Sequence, residues 1–342
     1  MKIRDFRSDT VTQPTDAMRQ AMACAVVGDD TLGEDPTVTE LEQYCALLFK
    51  KEAALLVASG TMANQVAVQT FCQRGQEAIV GAESHIYNLE VGALAALAQV
   101  QAVPIYSHNG YFDPVTIRKA IREPGIQKTR TGLLCLENTY NLNGGIPLPP
   151  AYFKELKEVT EEHGVPIYLD GARIFNAAAA LNATPAQLTA DVDAAMFCLT
   201  KGLAAPFGAV LVGSKTFIEQ ARWMRQRLGG GFRQIGHMAA AGLVGLKEMR
   251  GRISEDHENA RRLANGIAAI DARLVNIGYV QTNIVNVDFS HSDKPLAYIV
   301  SELARRGVKI KPLGAAHCRM VTHYGLSAED IDFAIEAMRE VL

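Results

Sequence analysis

The residues of this chain best suited to chemistry follow short apolar runs. Lys201 comes directly after Ala195-Met196-Phe197-Cys198-Leu199-Thr200, and Gly202 follows it. Burial disfavours an ammonium, and a neutral amine captures a carbonyl carbon as a Schiff base. Glycine at the next position lets a bulky group come close. Asp170-Gly171-Ala172-Arg173 follows the apolar stretch 166–169, and His85 follows 77–80. Ser59-Gly60-Thr61 follows 53–57 at the start of a helical pattern. Backbone N–H groups there, at the positive end of a helix dipole, make an anion site. Each feature alone has an ordinary reading: a strand-capping lysine, a helix N-cap, a hydrogen-bonded histidine.

The elements that position them alternate between strand and helix. Strands are predicted at 53–57, 77–80, 102–106, 131–136, 166–169, 192–200 and 209–212, the last as the hairpin-like partner of the lysine strand. Helical spacing falls between most of them, at 37–49, from 61 to 72, at 89–98, 114–122 and 150–163. This alternation predicts an α/β fold, a mostly parallel sheet with helices on both faces. Ligands of such sheets lie beyond the carboxyl ends of the strands. Gly60, Thr61, His85, residues 138–140, Asp170, Arg173 and Lys201 all follow strands on that edge, so one site explains them together.

After residue 212 the pattern changes. A basic helix at 216–228 ends in Gly229-Gly230-Gly231-Phe232-Arg233-Gln234, and an apolar helix at 238–249 follows. Further helices at 255–271, 295–306 and 327–341, with strands near 273–288 and the run Arg319-Met320-Val321-Thr322-His323, describe a smaller α+β domain. The expected division is an arm over 1–36 that reaches the active site, a large domain over 37–248 and a small one over 249–342. The acidic loop 27–36 reads as a turn or a helix cap at Asp35-Pro36.

A Schiff-base lysine, an aspartate at a strand end and a phosphate cup together suit pyridoxal 5'-phosphate. Lys201 would hold the aldehyde and Gly60 and Thr61 the phosphate. Asp170 would pair with the pyridine nitrogen and make the ring an electron sink. His85 could cover the ring. Arg173 and Arg319 are candidates for a bidentate grip on a substrate carboxylate.

Composition narrows the class. Hydrophobic content of 48% and charged content of 21% are ordinary for a globular protein. A net charge of −3 gives no reason to expect nucleic acid or an anionic membrane as partner. No apolar run reaches spanning length, and the first residues lack the apolar segment of a signal peptide. The six cysteines show no metal-ligand spacing and read as free thiols of a reducing cytoplasm.

Taken in order, these motifs resemble the low-specificity L-threonine aldolases of the β-eliminating lyase group, fold-type I pyridoxal-phosphate enzymes. The match runs through Arg7-Ser8-Asp9-Thr10-Val11-Thr12, Gly28-Asp29-Asp30, Asp35-Pro36-Thr37, Ser59-Gly60-Thr61, Ser84-His85, Glu137-Asn138-Thr139, Asp170-Gly171-Ala172-Arg173, Lys201-Gly202-Leu203, the glycine run to Gln234 and Arg319 to His323. The resemblance implies a Schiff base at Lys201, with Asp170 on the pyridine nitrogen and His85 on the ring. It implies a phosphate held by Gly60, Thr61 and Arg233 of a neighbouring subunit, and an amino-acid carboxylate held by Ser8, Arg173 and Arg319. It also implies a homotetramer, a dimer of dimers with active sites shared between subunits.

Two positions depart from the pattern. Tyr140 stands where the family has histidine, and Leu32 where it has tyrosine. Both are expected on the side of the substrate's β-carbon, with Tyr140 as a candidate for handling the β-hydroxyl proton. A phenol titrates near 10, which makes it a weaker base than imidazole at neutral pH. The expected activity is cleavage of L-threonine, L-allo-threonine or related β-hydroxy amino acids to glycine and an aldehyde. β-Elimination or racemisation on the same cofactor is the nearest alternative, and a non-catalytic pyridoxal-phosphate protein the alternative of another class.

Overall fold

All seven strands expected around the lysine join one sheet. The computed structural model describes residues 2–123 and 125–342. In spatial order the strands are Ala53–Val57, Ala209–Gly213, Ala194–Cys198, Ile167–Asp170, Thr131–Glu137, Glu77–Gly81 and Gln101–Ile105. Ala209–Gly213 runs antiparallel to both neighbours, and the other four pairings are parallel. The sheet is apolar on both faces, as a parallel sheet covered by helices must be. Alternate residues divide between two cores: Ala195 and Phe197 enter one, Ala194, Met196 and Cys198 the other. Phe197 stacks on Phe49 with ring centroids 4.8 Å apart.

The acidic loop is a folding device. The Asp35 carboxylate accepts from the N–H groups of Thr37 and Val38, both at 3.1 Å, and so caps the helix Pro36–Phe49. Its other oxygen accepts from Gly236 N–H at 2.9 Å, at the start of the helix Gly236–Val244. One carboxylate thereby satisfies donors at the starts of two helices.

The smaller core lies beyond residue 253. Lys311–Pro312, His317–Val321 and Ile284–Asp288 form an antiparallel sheet, packed by the helices Ile253–Ile270, Leu296–Arg305 and Ala328–Val341. The helix Ile253–Ile270 belongs to both cores, with Ile253 in the large one and Ala260, Leu263 and Ile267 in the small one. The N-terminal arm also spans both. Arg4–Asp5 pairs with Val308–Lys309, and Phe6 is fully buried in the small core while Met18 is fully buried in the large one.

Two local expectations differ from the fold, and one connection carried none. The alanine-rich helix expected over 89–98 is interrupted: only His85–Asn88 and the wide turn Leu94–Ala98 are helical. Between them Val91 and Gly92 take φ of 55° and 70°, and the turn carries the Glu90 side chain inward to polar partners that outweigh alanine's helix propensity. Of the stretch 273–288, only Ile284–Asp288 is a strand. The helices Ile174–Leu181 and Pro185–Leu188 fill a connection whose alanine-rich sequence carried little periodic contrast.

Phe6 ties the arm to the small domain, and its carbonyl accepts from Val321 N–H at 2.8 Å. Phe6→Ala should cost about 3 to 5 kcal/mol of small-domain stability, read as faster amide exchange at Val321 and Val308. Unchanged exchange at both would contradict this role for Phe6.

Candidate active site

The carboxyl ends of the parallel strands surround a cavity of about 190 Å³ lined by Ser59, Gly60, Thr61, His85, Asp170, Arg173 and Lys201 among others. Asp170 ends the strand Ile167–Asp170, and Lys201 lies three residues past Ala194–Cys198. His85 begins the short helix that follows Glu77–Gly81. Sheet register thus brings together residues distant in sequence.

One wall is the start of the helix Gly60–Phe71, where the Ser59 hydroxyl accepts from Met62 N–H at 3.1 Å. Gly60 and Thr61 line the cavity, and their N–H groups precede the helix's own bonding, which leaves them as donors for an anion. A Cβ at Gly60 would lie 3.0 Å from Met196 Cε and 3.1 Å from Cys198 Sγ, so the turn packs this tightly only with glycine.

A buried polar chain supports the opposite wall. Asp170 Oδ2 accepts from Asn64 Nδ2 at 2.9 Å, and Asp170 Oδ1 accepts from Ala172 N–H at 3.0 Å. Asn64 Nδ2 also donates to Glu90 Oε1 at 2.6 Å, and Asn64 Oδ1 accepts from Tyr168 Oη at 2.8 Å. Glu90 Oε1 lies 2.9 Å from His85 Nδ1. Burial disfavours the charged imidazole, but the Glu90 hydrogen bond and the carboxylates of Asp170 and Glu137 outweigh it and raise the His85 pKa. Glu137 is itself fully buried. Burial and Asp170 push its carboxyl up, against the N–H groups of His85 and Asn141 that donate to it at 2.7 and 2.9 Å.

The third wall is cationic. Arg173 Nε and Nη2 donate to the two oxygens of Asp9, each at 2.7 Å. Burial alone would raise the Asp9 pKa, but Arg173 and Lys201 hold it well below the ordinary carboxylate range. Asn283 of the small domain donates to the same carboxylate at 3.3 Å. Asn141 Oδ1 accepts from Arg173 Nη1 at 3.1 Å and from Arg319 Nη1 at 2.7 Å. Arg319 is buried, its Nε has no hydrogen-bond partner, and among the described residues it forms no ion pair. Burial and the neighbouring Arg173 push its pKa down to about 10, which still leaves it charged at neutral pH. Ser8 sits at the edge of this wall, its hydroxyl 3.4 Å from Asp9 Oδ1.

Lys201, Asp170, His85, Gly60, Thr61 and Arg173 therefore share one cavity, with Arg319 and Ser8 beside it. The Arg173 edge expected to face a substrate carboxylate is taken by Asp9, which leaves Arg319 as the unpaired guanidinium. Asp9, Asn64, Glu90, Glu137 and Asn141 were not among the predicted site residues. Asp9 and Glu137 stood inside quoted motifs and Asn64 just past one, Ser59-Gly60-Thr61, whereas the alanine-rich stretch around Glu90 gave no sign of it.

Three predicted residues lie elsewhere. Tyr140 is corrected: it does not enter the cavity but is buried beside Gly81, Gly110 and Phe112. The missing Cβ atoms of the two glycines make room for its ring. Burial pushes its pKa up to about 12, so neither position nor acidity suits a base. Leu32 is exposed on the turn Asp30–Leu32 and does not line the cavity. Arg233 is exposed and pairs with Asp29 at 2.8 Å, on the same face as Leu32 and away from its own chain's cavity.

Comparison with known proteins agrees with this geometry. The β-eliminating lyase family model matches residues 5–290. A probable low-specificity L-threonine aldolase 2 of Arabidopsis thaliana is 41% identical, over 98% of this chain and 96% of its own. The low specificity L-threonine aldolase of Escherichia coli K12 is 40% identical, over 96% of both chains. The solved threonine aldolase of Leishmania major superposes with a TM-score of 0.83 at 17% identity, over 99% of both chains. The chain belongs to the β-eliminating lyase family, and its fold is that of fold-type I pyridoxal-phosphate enzymes.

Removal of Asp9 leaves the buried Arg173 without its counterion. Asp9→Ala should lose about 3 to 5 kcal/mol at pH 7, measured by urea denaturation. Because the folded-state pKa is depressed, that stabilisation is present above the unfolded value of about 4 and fades as pH falls below it. The gap between wild type and variant should narrow at pH 3; a gap independent of pH would refute the ion-pair account.

Proposed function

We propose that this family member is a pyridoxal-phosphate-dependent lyase that cleaves L-threonine, L-allo-threonine or related β-hydroxy-L-amino acids to glycine and an aldehyde. The observation that carries the reading is Arg319, a buried guanidinium with no carboxylate partner among the described residues, joined through Asn141 to a cavity that holds both Lys201 and Asp170. A buried cation without a counterion is costly, and the carboxylate of an amino acid would relieve it. The threonine aldolases of similar sequence support the choice of substrate.

The cavity fits the cofactor by the chemistry of its donors. Lys201 would bind the aldehyde, the N–H groups of Gly60 and Thr61 the phosphate, and Asp170 the pyridine nitrogen. His85 would cover one face of the ring. When bound, the cofactor supplies a sink for the electron pair released at the substrate's Cα. Arg319, Ser8 and the remaining donor capacity of Arg173 hold the substrate carboxylate and so set which Cα bond is presented for cleavage. The β-hydroxyl proton must leave as the Cα–Cβ bond breaks. His85 is the base placed for it, since among the described residues its Nε2 has no partner and Tyr140 is outside the cavity.

Arg233 and Leu32 would act in a neighbouring subunit's site, within a homotetramer built of dimers. Their shared exposure on a face that also bears the exposed Trp223 supports this assembly. Among the described residues no helix is long and apolar enough to cross a membrane. The six unpaired cysteines suit the proposed cytoplasmic location.

A panel of β-hydroxy amino acids tests the reaction: glycine and aldehyde should appear, and their absence in protein with bound cofactor would refute it. Release of pyruvate or loss of optical activity would point instead to elimination or racemisation. Lys201→Ala should remove the visible absorbance of the lysine-bound cofactor, and an unchanged spectrum would remove the central assignment. Arg319→Leu should raise the KM for threonine about 100-fold, as loss of charged hydrogen bonds predicts. An unchanged KM would place the carboxylate elsewhere.

A further inference from the structure

Glu90 has no part in the roles assigned so far, yet its position is closely specified. Its side chain is fully buried. Oε1 is 2.9 Å from His85 Nδ1 and 2.6 Å from Asn64 Nδ2, and Oε2 accepts from Gln65 Nε2 at 2.9 Å. The same Asn64 Nδ2 reaches Asp170 Oδ2 at 2.9 Å. One carboxylate therefore contacts His85 directly and reaches Asp170 through Asn64, two residues that line the same cavity. The turn that delivers Glu90 is strained, since Val91 is β-branched and holds φ 55° while 99% exposed. That turn points Glu90 inward, where its carboxylate meets His85, Asn64 and Gln65.

We infer that Glu90 is the positioning residue for proton transfer, fixing His85 with Nδ1–H toward itself and Nε2 toward the substrate's β-hydroxyl. The inference rests on the aldolase reading. In the step, the hydroxyl proton passes to His85 Nε2 and the O–H electron pair becomes the second bond of the aldehyde C=O. The Cα–Cβ pair stays with Cα, which a proton later quenches to give glycine. Glu90 stabilises the imidazolium as it forms. A carboxylate, a histidine and a hydroxyl in line is the arrangement that activates a weak acid elsewhere in enzymology.

The charged groups facing His85 are Glu90, Asp170 and Glu137, and among the described residues Glu90 alone contacts the ring's Nδ1. Removal of the Glu90 charge lowers the pKa of His85. Cleavage needs neutral His85, so the rate rises with pH through that pKa. Without the charge, the acid limb moves to lower pH and the plateau falls, because the base is weaker.

The test uses the full-length protein with bound cofactor and isotopically labelled histidines, His85 being assigned from the spectrum of a His85→Gln variant. Glu90→Gln keeps the shape, and Gln65 can turn its amide to present Oε1, which has no partner in the structure. The His85 titration midpoint should fall by at least about one pH unit, as for loss of a contacting charge. The kcat for aldehyde release should fall about 100-fold, the range of general-base catalysis, with the acid limb shifted down. The dissociation constant for glycine should stay within about threefold, because the carboxylate grip is untouched. Glu90→Asp, which keeps the charge, should hold the midpoint above that of Glu90→Gln. An unshifted midpoint in Glu90→Gln, or a shifted one with unchanged kcat, would overturn the inference. Absence of aldehyde release from the wild type would instead overturn the functional reading, and the His85 midpoint would still decide whether Glu90 sets the charge of the ring.

Discussion

The buried pair between Asp9 and Arg173 holds the rest of the site in register. Asp9 comes from the N-terminal arm, Arg173 from the end of a central strand, and Asn283 of the small domain donates to the same carboxylate. Three separate parts of the chain thus meet at one group. Opposite charges with saturated hydrogen bonds offset the cost of burying each ion. The pair also determines what remains available: with Arg173 paired, Arg319 is the buried guanidinium of the site that has no carboxylate partner among the described residues.

The arm can reach this point because it is anchored at both ends. Phe6 is packed in the small core and Met18 in the large one. Between them Thr12 Oγ1 donates to the carbonyl of Lys201 at 3.4 Å. A segment with little regular structure of its own is thus held by side-chain burial on two domains, and its Asp9 reaches Arg173 on the cavity wall.

The site draws its groups from two sheets. Lys201, Asp170, Gly60 and His85 follow strands of one sheet, where backbone hydrogen bonds fix their separation. Arg319 lies on a strand of the smaller sheet, reached through Asn141 and the arm. Under the proposed function, the groups that would hold the cofactor sit on the first sheet, and Arg319, which would hold the substrate carboxylate, on the second. Tyr140 shows how closely the first sheet is packed. Its ring occupies the room left by two glycines, so a residue in the middle of a site motif becomes part of the core instead.

Much of this was legible in the amino-acid order. Strand and helix periods alternate clearly enough to predict a mostly parallel sheet, and a polar residue after each apolar run marks the ligand edge. Lys201, Asp170, Gly60 and His85 could be read that way because the local rule, a strand followed by its functional residue, is the rule that builds the site. Tyr140, Leu32 and Arg233 could not, because a side chain's direction depends on what fills the space around it. Nor could the pairing of Asp9 with Arg173, or the contact of Glu90 with His85. The first joins residues 164 apart in sequence, and the second depends on a turn that breaks an alanine-rich helix to bury one carboxylate. The sequence by itself determined which residues stand at the sheet edge. The tertiary structure alone decided which of their charges are already paired and which remain for a ligand, because burial and partner distance exist only in the folded chain.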